Sequence, residues 1–411
     1  LGLRRGGWAP DRRRPKEQTM PLELSNRTWP QRDPVLQGKP ETAELVRSAA
    51  RTFVSEGALV CKEIDFNGQM APLPRESSAI TSLAMTDGCV YGATSGEESW
   101  LFQYALLPYC EAALPLAPIP DARAVTRSLV AMPGHVLYGG TCDPEGGHLF
   151  KATVSGLPGD VIQEWGFPRV SFERLAAPVP GEGILRLVAS RDGERLFGLT
   201  NRTGTIFAYD LKERRERILG QVDPIHFFSP VLVEDREGVW YAFGTAGRLM
   251  RFSPFTKTIE ATDLRVECFP GRGPYAKIAA AALDDASRRL YLGDTEGLLS
   301  YIDLDEWRVV PLGKPVALGG IDHLVLLPDG RLYGTAGSRE GMAHLFVYQP
   351  RPGALRDLGV LCATTQKPWY GYRYGDMVAT SEGRIVLGEA DHLGCLFNYF
   401  PPLLAAGNPI E

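Results

Sequence analysis

The stretch from Gly320 to Tyr348, GIDHLVLLPDGRLYGTAGSREGMAHLFVY, decides how this chain folds. It has the pattern of three short antiparallel strands, Ile321 to Leu327, Arg331 to Thr335 and His344 to Tyr348. The tripeptide Pro328-Asp329-Gly330 favours a turn between the first two. The tract from Ala354 to Leu361 predicts a fourth strand. The expected building unit is therefore a four-stranded antiparallel meander.

Six other segments repeat this plan, and they are Ile80 to Tyr104, Thr126 to Phe150, Ile184 to Asp210, Ser229 to Phe252, Ala276 to Asp303 and Gly375 to Tyr399. One aromatic or apolar residue of the second strand marks each copy, at Tyr91, Tyr138, Phe197, Tyr241, Tyr291, Tyr333 and Val386. Subtraction gives spacings of 47, 59, 44, 50, 42 and 53 residues. A four-stranded unit with such a period is typical of a propeller blade. We therefore predict an all-β, seven-bladed β-propeller with four-stranded antiparallel blades.

The two ends of the chain predict how the ring closes. Residues 1–40 are rich in Arg and Pro, which favours a disordered or extended leader, with Met20 as a possible start, and residues 41–411 are expected to form a single propeller domain. The tail after Tyr399 is too rich in Pro and Gly for an outer strand. We expect the strand from Ala58 to Asp65 to complete the seventh blade instead, which would leave no open join in the ring.

The bulk composition argues against several classes of function. The net charge of -5 and the lack of a basic stripe give no case for nucleic-acid binding. No apolar run approaches the roughly 20 residues that span a membrane, and no secretory signal is visible, so the localisation stays open. The seven Cys are scattered and never form a C-x-x-C pair, which favours buried core residues over a disulfide framework or a zinc site. We expect neither a metal nor a cofactor.

The channel of a propeller is lined by the first strand of each blade, and the end where first and third strands begin collects side chains from every blade. Four cations, Arg127, Arg186, Lys277 and Arg373, are predicted to converge there and to bind a small anion such as a carboxylate or sulfate. The alternative for each cation is a solvated residue at the rim.

Aromatic residues at the same end could support sugar rings or other planar ligands, and they are Trp100, Tyr275, Tyr372 and Tyr374. Packing within the blades is the competing explanation. His148, at the start of a third strand, is predicted to contact the same ligand. The expected partner is a small anionic or oligosaccharide ligand.

His323 and His344 are the best candidates for catalysis. They lie near the starts of the first and third strands of one blade, about 10 Å apart by strand spacing. Both imidazoles could therefore contact one substrate, and a neutral imidazole can accept a proton near pH 7. The alternative is a pair of hydrogen-bonded rim residues. The sequence carries no nucleophile elbow, P-loop, zinc-protease or Rossmann motif.

Three short motifs, Leu-Tyr-Gly-Gly-Thr at 137–141, Gly-Gly-His-Leu-Phe at 146–150 and Ala-His-Leu-Phe-Val-Tyr at 343–348, carry a resemblance to a known family. The chain resembles the seven-bladed propeller polysaccharide lyases, namely ulvan lyases and rhamnose–glucuronate lyases, with related rhamnosidases. The resemblance implies that an Arg neutralises a uronate carboxylate, that His or Tyr removes the C5 proton, and that the 4-linked sugar leaves by β-elimination. By position it implies these roles for His323, His344, Arg373 and Tyr374, with Tyr372 as an alternative tyrosine.

Three functions follow as hypotheses. The first is a lyase that cleaves a uronate-containing oligosaccharide at the channel mouth. The second is a non-catalytic propeller that binds a small anionic ligand or a protein partner. The third is a hydrolase with a metal in the channel. It ranks lower because such a metal is usually held by carboxylates, and only Asp322 and Asp376 lie near the inner ring.

Overall fold

The structure is a computed structural model, and it describes residues 54–64, 73–86, 88–107, 110–155, 168–222, 229–253, 259–268, 271, 277–317, 319–338, 342–363 and 369–402. The predicted leader and Tyr275 lie outside the described residues.

Seven four-stranded antiparallel sheets, the blades, follow one another along the chain. The first strand to appear is β1 (Ala58–Glu63). Blade 1 has β2 (Ala79–Thr86), β3 (Cys89–Ser95), β4 (Trp100–Leu107) and β5 (Cys110–Pro118), and blade 2 has β6 (Leu129–Met132), β7 (Val136–Gly140), β8 (Leu149–Ser155) and β9 (Arg169–Ala176). Blade 3 has β10 (Ile184–Ala189), β11 (Arg195–Thr200), β12 (Thr205–Asp210) and β13 (Arg215–Gln221), and blade 4 has β14 (Leu232–Glu234), β15 (Trp240–Phe243), β16 (Arg248–Phe252) and β17 (Glu260–Arg265).

The remaining blades have the same plan. Blade 5 has β18 (Ile278–Asp284), β19 (Arg289–Asp294), β20 (Leu299–Asp303) and β21 (Arg308–Gly313), and blade 6 has β22 (Ile321–Leu326), β23 (Leu332–Ala336), β24 (His344–Gln349) and β25 (Ala354–Val360). A two-stranded sheet of β26 (Cys362–Ala363) and β27 (Trp369–Tyr370) precedes blade 7, which has β28 (Tyr374–Ala379), β29 (Ile385–Glu389) and β30 (Cys395–Phe400). Short 3-10 turns lie at Arg75–Ser77 and Thr245–Gly247. The chain folds as a seven-bladed β-propeller.

The ring closes as the sequence predicted. β1 pairs antiparallel with β30, from Ala58 opposite Phe400 to Glu63 opposite Cys395. The amino-terminal strand is thus the outer strand of blade 7, and the first and last parts of the propeller share one sheet.

Apolar side chains on the facing surfaces of neighbouring blades form the core. Six of the seven second-strand marker residues are buried and Tyr138 is half-buried. Tyr333 of blade 6 and Tyr399 of blade 7 belong to one buried cluster, with ring centroids 5.6 Å apart. Each blade therefore buries its apolar surface only when its neighbours are in place.

Glycine in the second strand lets the third strand contribute a large ring. Gly92 lies opposite Phe102, and Gly198 lies opposite Phe207. A Cβ at either glycine would overlap the ring of that phenylalanine. The same pairing occurs at Gly139 with Phe150 and at Gly334 with Phe346. The phenylalanine rings therefore pack in place only because the residues opposite them are glycines, which have no side chain.

The part of the chain that the structure describes contains no helix long and apolar enough to cross a bilayer.

Candidate functional site in the axial channel

One arginine crosses the channel. Arg127 lies in the connection from blade 1 to blade 2, and its guanidinium reaches blades 5, 6 and 7 on the other side of the axis. Nη1 donates to the carbonyl of Ala279 at 3.0 Å, Nη2 donates to that of Asp322 at 2.9 Å, and Nε donates to that of Gly375 at 3.3 Å. The backbone of Arg127 has a φ of 48°, a left-handed conformation that is unfavourable for a residue with a side chain. This strain is tolerated because the contacts across the axis fix the residue.

Arg127 also determines the state of a buried histidine. Its Nη2 lies 2.9 Å from Nε2 of His323, and since a guanidinium can only donate, Nε2 must be the acceptor. Nδ1 of His323 therefore carries the proton and donates to Oγ1 of Thr335 at 2.8 Å. Burial, with the nearby charges of Arg127 and Arg186, holds the pKa of His323 well below its usual value. The imidazole is neutral, and both of its nitrogens are occupied.

A second arginine also lines this space. The side chain of Arg186, on β10, makes no hydrogen bond to a described residue, and its buried Nε is unsatisfied. Within the described part of the chain, no carboxylate lies at ion-pair distance from Arg127 or Arg186. Arg186 keeps some accessible surface because the channel is wide enough for water, yet desolvation lowers its pKa.

One carboxyl group partly balances these charges. Asp376, on β28, accepts hydrogen bonds from the backbone N–H of Leu83 at 2.8 Å and of Met377 at 3.0 Å. Burial raises the pKa of Asp376, although the two arginines act in the opposite direction. The carboxylate of Asp322 also lines the channel, where it accepts a hydrogen bond from Oγ of Ser338 and lies beyond ion-pair distance of both arginines.

These groups surround a cavity of about 70 Å³ on the propeller axis. Its charged and polar lining residues are Arg127, Arg186, Asp322, His323 and Asp376, and the rest of the lining comes from apolar residues of blades 4 to 7. We call this space the axial cavity. Among the described residues, no group of three or more His, Cys, Asp or Glu side chains is placed to hold a metal ion.

The structure does not bring the two predicted catalytic histidines together. His323 lies opposite Thr335, while His344 lies opposite the next residue, Ala336. Directly paired residues point to the same face of a sheet and successive residues alternate, so the two imidazoles lie on opposite faces of blade 6. The expectation that both contact one ligand is wrong.

His344 has a different partner instead. Its Nδ1 lies 2.9 Å from Oδ2 of Asp357 on β25, and about 29% of its side chain is exposed. Asp357 was not among the predicted site residues, although its place one strand outward from His344 was readable from the repeat. The two residues form a histidine–carboxylate dyad at the rim of blade 6.

Three residues predicted to join these histidines have other environments. Tyr374 is buried, its ring packs edge-on against Phe397, and burial raises its pKa well above the usual value, so it is a core residue rather than a base. Arg373 is exposed and its Nε lies 3.2 Å from Oδ1 of Asp391. Tyr372 is 56% exposed and lies beside Arg373.

The remaining predicted ligand contacts do not reach the axial cavity either. Lys277 is exposed and lies before the start of β18. The residue of blade 5 that occupies the register position of His323 is Ala280. Trp100 is half-buried against the core of blades 1 and 7. His148 is buried, lines a separate groove of about 940 Å³ between blades 1 and 2, and has a pKa lowered by desolvation. The predicted four-cation cluster therefore reduces to Arg127 and Arg186.

No protein-family model and no curated protein sequence matches this chain. Among solved structures it is similar to the virginiamycin B lyase from Staphylococcus aureus, with 9% identity, a TM-score of 0.60, and coverage of 84% of this chain and 100% of that one. A catalytically inactive form of that lyase with quinupristin gives a TM-score of 0.57 at 8% identity, with the same coverage. The WD40 propeller domain of Doa1 gives 0.52 at 10% identity, covering 84% of this chain and 97% of that one.

These likenesses show the fold alone. None of the three is a polysaccharide lyase, so the family resemblance is supported for the propeller and not for a uronate substrate.

Proposed function

We propose that this propeller binds a small anion, such as a carboxylate or sulfate group, in the axial cavity. The observation that carries the proposal is the side chain of Arg186, which is charged, points into the cavity and meets no acceptor among the described residues. A buried donor without an acceptor costs about 1–3 kcal/mol, and more when it is charged. An anion that accepts from Arg186 would remove this cost.

Charge and size support the same ligand class. Arg127 and Arg186 both present guanidinium groups to the cavity. Neither lining carboxyl group lies at ion-pair distance from them, since that of Asp322 accepts from Ser338 and that of Asp376 accepts from two backbone N–H groups. A cavity of about 70 Å³ has room for a few waters or one small oxyanion. A whole sugar ring would not fit, so an oligosaccharide could place only an acidic substituent there.

Calorimetric titration with sulfate and with acetate in a low-chloride buffer tests this proposal. We expect the wild-type protein to bind one of these anions, and Arg186→Gln to bind it at least about 10-fold more weakly, because a charged hydrogen bond contributes about 1.5–3 kcal/mol. Lys277→Gln is the matched control, since it removes an exposed cation outside the cavity lining. Equal affinities of the wild type and Arg186→Gln would refute the proposal.

A second candidate function is a lyase acting on a uronate-containing oligosaccharide at the rim of blade 6. The specific observation in its favour is the dyad of His344 and Asp357. The carboxylate holds Nδ1 of the imidazole and leaves Nε2 free to accept a proton, such as the C5 proton of a uronate. The family resemblance supports the same reaction, while a role for Arg373 in holding the uronate carboxylate stays a prediction.

An assay for an ultraviolet-absorbing unsaturated product, on a panel of uronate glycans, tests this candidate. His344→Ala should abolish the product, and Asp357→Asn should reduce it by misorienting the imidazole. Arg186→Gln should leave it unchanged, because the dyad and the axial cavity are separate sites. If no glycan of the panel is cleaved, the lyase candidate fails while the anion proposal stands.

A further inference from the structure

Two cysteines lie on the neighbouring strands of the ladder that closes the ring, in diagonal positions. Cys61 of β1 lies opposite Phe397, and Cys395 of β30 lies opposite Glu63. Positions two residues apart in a strand point to the same face, so the two cysteines are diagonal neighbours on one face of blade 7. Both are free cysteines, and the thiol of Cys395 donates to the carbonyl of Leu393 at 3.5 Å.

The two cysteines lie on the strands that join the beginning of the propeller to its end. Cys395 is fully buried and Cys61 half-buried, both packed against the core shared by blades 6 and 7. Within blade 7, β1 is the outer strand and pairs with β30. A covalent bond here would join the first strand of the propeller to the last and enclose nearly the whole ring in one loop.

We propose that Cys61 and Cys395 are a redox modification site, a latch that locks the propeller when the two thiols are oxidised to a disulfide. The oxidant is a small disulfide such as oxidised glutathione. One thiolate attacks it and forms a mixed disulfide with release of one reduced thiol. The second cysteine then displaces the other thiol, so two protein thiols lose their hydrogens and one small disulfide becomes two thiols.

The environment of the thiols determines the kinetics of the latch. The neighbouring thiol of Cys395, together with burial, raises the pKa of Cys61 far above its usual value, so little thiolate is present in the closed strand. Oxidation therefore requires β1 to open locally, and it should accelerate as the pH rises. A disulfide across so long a loop constrains the unfolded chain strongly, so the locked form should resist unfolding.

The test is incubation of the full chain with oxidised glutathione, followed by peptide mapping and by thermal unfolding with and without a reductant. Cys362→Ser is the matched control, since it removes another buried free cysteine near β1. We expect a 61–395 disulfide in the wild type and in Cys362→Ser, and a melting temperature raised by several degrees that the reductant reverses. Cys61→Ser should show neither change.

Mixed glutathione adducts alone, a disulfide through Cys362, or an oxidised form that melts at the reduced temperature would each overturn the latch. Cys61→Ala, which removes the thiol without placing a hydroxyl group in this half-buried position, provides a second variant. If Cys61→Ser folds poorly, the same comparison is made with Cys61→Ala.

Discussion

The buried carboxyl of Glu389 makes the stability of blade 7 depend on pH. Glu389 ends β29 and is fully buried, and it accepts hydrogen bonds from the backbone N–H groups of Asp391 and Leu393. Desolvation outweighs these donors and raises the pKa of Glu389 from 4.5 to about 7. Between these two values the folded protein binds more protons than the unfolded chain, so stability falls as the pH rises.

The size of this effect follows from the pKa shift. A difference of roughly 2.5 units at 1.36 kcal/mol each gives about 3 kcal/mol of stability that is present below pH 4.5 and lost above pH 7. Glu389→Gln cannot ionise and should not lose it. In the Glu389→Gln variant, the amide NH₂ group replaces one of the two acceptor oxygens, so one backbone N–H loses its hydrogen bond. This loss lowers the stability of the variant by about 1 kcal/mol at every pH. Part of this stability is already lost by pH 5, so relative to the wild type the variant should gain between about 2 and 3 kcal/mol from pH 5 to pH 8.

Urea unfolding at several pH values between 5 and 8 measures this difference. Glu382→Gln, an exposed carboxyl on the same blade, controls for the loss of one negative charge. If the free energies of unfolding of the wild type and Glu389→Gln run parallel across this pH range, the account of a buried, proton-binding Glu389 is refuted.

Three further substitutions test the packing of the ring by urea unfolding. Gly198→Ala places a Cβ in the ring of Phe207 and should destabilise the protein by about 1–3 kcal/mol, whereas an unchanged midpoint would contradict the packing described for these strands. Arg288→Met leaves the buried carboxylate of Asp235 without its ion partner at 3.1 Å and should cost about 3–5 kcal/mol; a cost below about 1 kcal/mol would show the pair to be solvated. Tyr374→Phe removes one long hydrogen bond from a core ring, so it should cost no more than about 1.5 kcal/mol, and a larger loss would indicate an additional role for the hydroxyl.

The fold was predictable because each blade carries its own signals. Every copy has a turn after its first strand and a marker residue in its second, and the spacing of those markers sets the number of blades. The role of β1 as the outer strand of blade 7 was predictable because the tail after Tyr399 is too rich in Pro and Gly to form that strand. Local patterns therefore sufficed for the architecture.

The site was only partly predictable, because a backbone irregularity changes which face a side chain occupies. A register shift between Ile321 and His323 moves His323 from opposite Gly334 to opposite Thr335, and this single residue places it on the face away from His344. A similar shift precedes Arg186 and Asp376 on the first strands of their blades. Such bulges leave no reliable trace in composition or periodicity.

The misplacement of Lys277 has a different cause, because blades 5 and 6 carry the same shift and the alignment of the two repeats was itself three residues off. Counting from the shift assigns Ala280 to the channel position of blade 5, so the aligned lysine lies three residues too early. Arg127 was expected at the mouth, but its reach across the axis depends on the length of its side chain and on a left-handed backbone. Neither is visible in a repeat alignment.

The most direct test of the axial anion site is anomalous diffraction from crystals soaked in selenate, a heavier analogue of sulfate. We expect an anomalous peak in the axial cavity, within hydrogen-bonding range of Nε of Arg186, and no such peak in crystals of Arg186→Gln. Selenate peaks confined to the outer surface of the propeller, with water alone beside Arg186, would contradict it.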